Sequence, residues 1–254
     1  MKEFIETLRF KNEALFFFGL VCLIAAIIFL VLTRLTSTQV MGINAWYKPF
    51  KFALSTFFFS WTMGCFCQYL DQPLNVSIYS WAVIILLGFE IVYIAWKAGQ
   101  GQLSHYNESD TFHSTMFSLM AFAATAVTLW TAYMGVLFFG KDVSPLPEYY
   151  LWGIRLGILL FVIFSFEGFA MGARMSHSVG GPDGSPGLPI VNWSKKFGDL
   201  RISHFLGMHA LQVIPLLSYF VIKNVKGIVL FSSLYFLLTL FLFIMALQGK
   251  PLIR

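Results

Sequence analysis

The sequence predicts an all-α integral membrane protein, a bundle of seven transmembrane helices. Only 11% of its 254 residues are charged, and 58% are hydrophobic, 29 of them Phe. A soluble domain carries roughly 25% charged residues. A chain this poor in charge cannot cover a water-facing surface, whereas a lipid-facing one needs no charge. Seven apolar windows each reach the roughly 20 residues that cross the hydrocarbon core. The connections are short, the longest holding only about 30 residues, too few for a separate soluble domain.

The windows are residues 14–34, 47–69, 76–97, 113–139, 149–174, 202–222 and 226–247, and together they read as a single transmembrane domain spanning 1–254. The first run is longer than a signal-peptide core and is followed by no small-x-small cleavage site, so it reads as a true span. The second opens on Lys48 and Lys51 and is the most polar at its start. The fourth is long enough to tilt or to project beyond the bilayer. Cys22, Cys65 and Cys67 lie within apolar runs and read as packing residues rather than a disulfide framework.

Seven spans put the termini on opposite sides. The connections after spans one, three and five then share a side with the C-terminus, here side A. Side A holds Arg34, Lys48, Lys51, Lys97, Arg174, Lys195, Lys196, Arg201, Lys250 and Arg254. Side B holds Lys2, Arg9, Lys11, Lys141, Arg155, Lys223 and Lys226. Ten against seven favours side A as cytoplasmic, against the pull of the N-terminal cluster. The net charge is +5, but no Lys/Arg cluster exceeds a pair, so loop charges that fix topology account for it and a nucleic-acid partner is not expected.

Ionisable residues within a span are costly and face the protein interior or a water-filled cavity. Glu90 in span three precedes Lys97 by seven residues, and Glu167 in span five precedes Arg174 by seven. Each acid then lies about 10 Å inside the side A helix end, on the face that carries its base. Span six enters from side A as Asp199-Leu-Arg-Ile-Ser-His-Phe-Leu-Gly-Met-His-Ala-Leu-Gln212. On a helical wheel with His204 at zero, Met208 falls near 40°, Arg201 near 60°, Gln212 near 80° and His209 near 140°. The opposite arc is aliphatic. His113 opens span four, whose Ser114, Ser118, Ala121, Thr125 and Thr128 suggest a close-packing stripe. All five histidines fall on side A: these three with His105 and His177 in its loops.

Glu90, His113, Glu167, His204 and His209 are therefore the expected site, with Glu90 and Glu167 as catalytic groups or ligands and the histidines as ligands. Mixed imidazole and carboxylate donors suit Fe, Zn or Mn, and single histidines on facing helices suit a b-type haem. Arg201, Lys51, Trp46 and Gln212 are expected at an anionic head group, and His105, Asn107, His177 and Asp199 as loop contributors. Within the loop that holds His177, Gly180-Gly-Pro-Asp-Gly-Ser-Pro-Gly-Leu-Pro189 is a dense turn signal consistent with an ordered cap. The expected function is a membrane-embedded metal- or haem-dependent enzyme, redox or hydrolytic, acting on a lipophilic small molecule, with the bilayer as its other partner. The alternatives are a proton-coupled carrier and a scaffold whose polar cluster only fixes helix packing.

Three segments carry a resemblance: Ile43-Asn-Ala-Trp-Tyr-Lys-Pro-Phe-Lys-Phe52, Gly181-Pro-Asp-Gly-Ser-Pro-Gly-Leu-Pro189 with Asn192-Trp-Ser194, and Gly198 through Gln212. They resemble a family of bacterial seven-span membrane proteins with no established activity. The resemblance implies a bacterial inner-membrane location and no mechanism.

Overall fold

The computed structural model describes residues 2–140, 143–185 and 187–252, with the side chains of residues 2–5 and 7 left aside. The helices are α1 (Lys2–Lys11), α2 (Glu13–Leu35), α3 (Tyr47–Cys67), α4 (Pro73–Gly99), α5 (Thr111–Leu137), α6 (Glu148–Ser165), α7 (Gly168–Arg174), α8 (Leu200–Phe220) and α9 (Val225–Leu247). Two-residue strands β1 (Gln39–Val40) and β2 (Ile43–Asn44) pair antiparallel, as do β3 (Ser178–Val179) and β4 (Gly198–Asp199).

Five stretches are long and apolar enough to cross a membrane: α2, α4, α5, the α6–α7 pair and α9. Their outward residues are aliphatic and aromatic. On α9 these include Leu230, Leu234, Leu237 and Phe241, all more than half exposed, as lipid contact requires. The windows expected as spans two and six are also helices, α3 and α8, of 21 residues each. The short helix α1 was not expected.

Contacts divide the chain into two units, Met1–Pro145 and Leu146–Arg254. In the first, Cys22 and Ala26 of α2 pack with Ala53 of α3 and Ile91 of α4. Gly19 leaves room for Trp61, whose indole N–H donates to the Phe16 carbonyl at 3.1 Å. Asn12 caps α2 by accepting from the Leu15 N–H and donates to Ser80 Oγ on α4 at 3.0 Å. Tyr79 of α4 and Thr131 of α5 share a hydrogen bond of 3.0 Å. The β1–β2 turn has positive φ at both Met41 and Gly42, the backbone of a type I′ hairpin. It carries Asn44 back to the end of α2, where its amide donates to the carbonyls of Thr33 and Thr36, two acceptors that the helix end leaves open.

The expected small-residue stripe of α5 is buried only at Thr128. Ser118 and Ala121 are exposed, Ser114 and Thr125 are half-buried, and the hydroxyls of Ser114, Ser118, Thr125 and Thr128 bond back to carbonyls four residues earlier. Such back-bonding satisfies a hydroxyl without a neighbouring helix. The buried edge of α5 runs along the heptad His113, Met120, Val127 and Met134, with Ala123, Thr128 and Thr131 beside it.

In the second unit, α6 and α8 approach most closely. Gly153 and Gly157 of α6 face Ser218 and Pro215 of α8, and Gly207 of α8 faces Phe164 of α6. Leu160, Phe164, Ala210, Ile214 and Ile228 form the core there. Tyr235 of α9 donates to the Leu206 carbonyl at 2.7 Å. Span five is not one helix. It breaks at Phe166–Glu167, between α6 and α7, with Glu167 as the N-cap of α7.

A candidate site of buried polar groups

In the first unit, polar groups gather where α4 ends and α5 begins. The Asp110 side chain caps α5 by accepting from the His113 N–H at 2.9 Å, and its second oxygen lies 2.7 Å from His113 Nδ1. The Nδ1–H of His113 therefore points at a carboxylate, and Nε2 is buried with no partner. Tyr93, one turn before Lys97, is 2% exposed, and its hydroxyl is also buried without a partner.

Lys97 is 3% exposed. It donates to Gln100 Oε1 at 2.9 Å and Gln102 Oε1 at 3.0 Å, and lies 4.4 Å from the centre of the Trp96 ring. Gly101 makes that clasp possible. Its φ of +66° lets the Gln102 N–H bond the Lys97 carbonyl and the Gly101 N–H bond that of Ala98. This is the left-handed C-terminal motif that glycine favours.

Glu90 is buried with Oε1 unpartnered, and Lys48 is the cation whose charge reaches it. Lys97 and Glu90 do lie on one face of α4, but Lys97 bonds the glutamines rather than Glu90. Lys51 is half-buried at the start of α3. Trp46 stacks on Phe29 at 5.7 Å and its buried indole N–H has no partner. In the α4–α5 loop, His105 packs on Phe52 and Phe117. Asn107 bonds the Leu103 carbonyl and the Ser109 N–H, which holds the turn at Tyr106, whose φ is +57°.

In the second unit, the helix break organises the polar groups. In a continuous helix the Phe164 carbonyl would receive the N–H four residues on. Here it lies 2.8 Å from His204 Nδ1. That fixes the His204 tautomer with Nε2 open. Ser203, the preceding residue, donates to Glu167 Oε1 at 2.5 Å, while Glu167 Oε2 is buried and unpartnered. His209 points elsewhere, bonding Gln212 Oε1 at 3.1 Å and lying 4.3 Å from the Phe205 ring.

The guanidinium of Arg201 is engaged. It donates through Nε and Nη2 to both oxygens of Asp199 and through Nη2 to the Asn192 carbonyl. Asp199 also accepts the N–H groups of Ser194 and Arg201. Both residues read from the sequence as ligand-binding thus build one clasp at the start of α8. Among the described residues, no three His, Cys, Asp or Glu side chains are gathered so that they could hold a metal ion.

The Gly/Pro-rich loop is ordered around Asp183. Its carboxylate accepts from the backbone N–H groups of His177 and Ser178, from Ser176 Oγ and from His177 Nδ1. Burial alone would raise its pKa. The His177 and Ser178 bonds and the His177 charge outweigh burial and hold the carboxyl well below the usual carboxylate range. Because the unfolded loop binds the proton more readily, this stabilisation is present above the ordinary value of about 4 and is lost as the pH falls below it. Limited proteolysis across residues 176–199 should therefore show protection near neutrality and cleavage as the pH drops under about 4. Asp183→Ala should be cleaved across that whole range; a cleavage rate independent of pH in the native chain would contradict this.

Sequence reasoning placed Lys97 on the Glu90 face but assigned no site role to it or to Tyr93, Asp110, Asp183 or Ser203. An Asp three residues before a span-opening His is a cap signal that would have paired Asp110 with His113.

No protein-family model, curated protein or solved structure matches the chain. The membrane class stands on the five apolar helices.

Proposed function

We propose that the chain has seven spans, with α3 and α8 completing the five, and is a membrane-embedded enzyme acting on a lipophilic substrate where α4 ends and α5 begins. A bacterial inner membrane, with that face cytoplasmic, fits the resemblance and the distribution of Lys and Arg. The observation that carries the reading is His113: Nδ1 is held by Asp110 at 2.7 Å and Nε2 is buried with no partner. A carboxylate behind an imidazole fixes its tautomer and leaves the outer nitrogen as the acceptor. Catalytic bases and metal-bound histidines share that arrangement. His113 takes a proton at Nε2, or ligates there.

The cofactor in this reading is a metal ion (Fe, Zn or Mn) or a b-type haem. His113 supplies one oriented imidazole in the first unit and His204 one in the second. Glu90 and Glu167 each supply a free buried oxygen. Each unit by itself offers one axial imidazole, which is enough for haem, or for an ion completed by water and substrate. The donor set does not build a closed site of three or four protein ligands within either unit.

The absorption spectrum and the Fe, Zn and Mn content of detergent-purified protein test the cofactor. The expected result is a Soret band or about one metal per chain, lost in His113→Ala and kept in His105→Ala. Absence of both from the native protein removes the cofactor and leaves acid–base chemistry. Stability tests the role of His113. A buried polar atom without a partner costs roughly 1–3 kcal/mol, so a histidine retained for function should be replaceable by Phe without loss of stability. A marked drop in the thermal midpoint of His113→Phe would assign the residue to packing.

A packing role is the second reading, and specific bonds favour it. Asn12–Ser80, Tyr79–Thr131 and Glu167–Ser203 each tie two helices together.

A further inference from the structure

We propose that Lys97 and Tyr93 form the head-group subsite for an anionic amphiphile, an acyl chain ending in a carboxylate or phosphate. This rests on the reading that the substrate is lipophilic and names its polar end. An ammonium has three donors. Gln100 and Gln102 take two of them, both neutral acceptors. Among the described residues no carboxylate pairs with Lys97; the ion pairs there are His113–Asp110, His177–Asp183 and Arg201–Asp199. A buried charge inside a membrane protein is expensive and is otherwise paired. The Trp96 face at 4.4 Å offsets part of that cost, as does the negative end of the α4 dipole.

Neither of these explains Tyr93. Its ring centre is 5.8 Å from Lys97 Nζ, and its hydroxyl is buried with nothing to bond. A donor left unmade on a ring that lies against an ammonium lacking a counter-ion fits an anionic head group whose several oxygens accept from both. Asp110, the nearby carboxylate, spends both oxygens on His113. Trp96 and Phe112, flanking the ammonium, are each about half exposed, so an acyl chain reaches this end of α4 from the lipid side. The head group is then held beside His113.

Trp96 reports on the site directly. Full-length protein in an uncharged detergent is titrated with dibromostearate and with its methyl ester, and Trp quenching is read. The expected result is saturable quenching by the acid at concentrations at least tenfold lower than by the ester, the preference that a charge-assisted bond gives. Trp96→Phe should remove most of the saturable signal. Lys97→Met should abolish the preference for the acid, Lys97→Arg should keep it, and Tyr93→Phe should weaken it several-fold.

Equal quenching by acid and ester in the native chain overturns the proposal, as does a preference that survives Lys97→Met. If Lys97→Met does not yield monodisperse protein, Tyr93→Phe and Lys97→Arg decide it. Phosphatidic acid should relieve the quenching at micromolar concentration. Relief by inorganic phosphate at equal concentration would mean a free-anion site and overturn the amphiphile. The Soret, metal and His113→Phe measurements do not depend on this preference, so either reading can fail alone.

Discussion

Asp199→Ala should lower the stability of the protein by about 3–5 kcal/mol, the cost of removing one partner from a buried ion pair. The Asp199 side chain is fully buried, while that of Arg201 is about a quarter exposed. The carboxylate answers four donors at once: the Arg201 guanidinium twice and the backbone N–H groups of Ser194 and Arg201. Removing it leaves the guanidinium with only the Asn192 carbonyl, the Ser194 N–H without an acceptor, and α8 without its N-cap. For a chain of this size the midpoint of heat-induced loss of monodisperse protein should fall by on the order of 10 °C. Asp199→Asn keeps the shape and part of the cap, so it should lose less. Asp199→Ala with Arg201→Ala should cost less than the two singles added, because each single strands the other's partner. A shift of under about 2 °C in Asp199→Ala would show that the clasp is not what holds the start of α8.

This clasp also shows where sequence reasoning stopped. Helical periodicity placed Arg201 on the polar face of span six, and a cation there suggests an anionic ligand. The wheel sees only one helix. It carries no information on whether the Asn192 carbonyl, nine residues back along a loop rich in turns, returns to meet that guanidinium. The helices themselves were legible because runs of twenty apolar residues have few other uses, and five of the stretches are long and apolar enough to cross a membrane. Six of the seven windows coincide with helices to within a few residues, from α2 at Glu13–Leu35 to α9 at Val225–Leu247. The exception is informative. The apolar run of 149–174 is continuous in composition, but its backbone breaks at Phe166–Glu167, and composition does not record where a helix pauses.

The candidate site was legible as residue types and not as pairings. Glu90, His113, Glu167 and His204 are buried or nearly so, as the cost of exposing ionisable groups to lipid demands. Seven-residue spacing suggested that Glu90 answers Lys97 and Glu167 answers Arg174. In fact Glu167 accepts from Ser203 on another helix, and Lys97 donates to glutamines at its own C-terminal turn. Both outcomes follow from geometry that spacing leaves out: a glycine at positive φ in one case and a donor from a neighbouring helix in the other.

Gly207→Ala should be the most damaging single-methyl addition in the α6–α8 pair, costing about 1–3 kcal/mol by overpacking. A Cβ at this position would run into the Cβ and ring of Phe164. That ring cannot yield freely, because it is packed among Ala210, Ile214 and Ile228 and lies 5.8 Å from the Phe236 ring. The helices must therefore separate. The same segment carries the Phe164 carbonyl that holds His204, and Ser203–Glu167 crosses beside it. Loss of stability should then be accompanied by faster amide hydrogen exchange at residues 164–169, which a purely local clash would not produce. Gly172→Ala is the matched control: its added methyl meets nothing within 4 Å. In α7 it should be neutral or stabilising by up to about 1 kcal/mol, from helix propensity alone. Phe164→Leu combined with Gly207→Ala should recover part of the loss by making room, as coupled neighbours do. Equal stability of Gly207→Ala and Gly172→Ala would mean that α6 and α8 are not in the close contact from which the orientation of His204 has been argued.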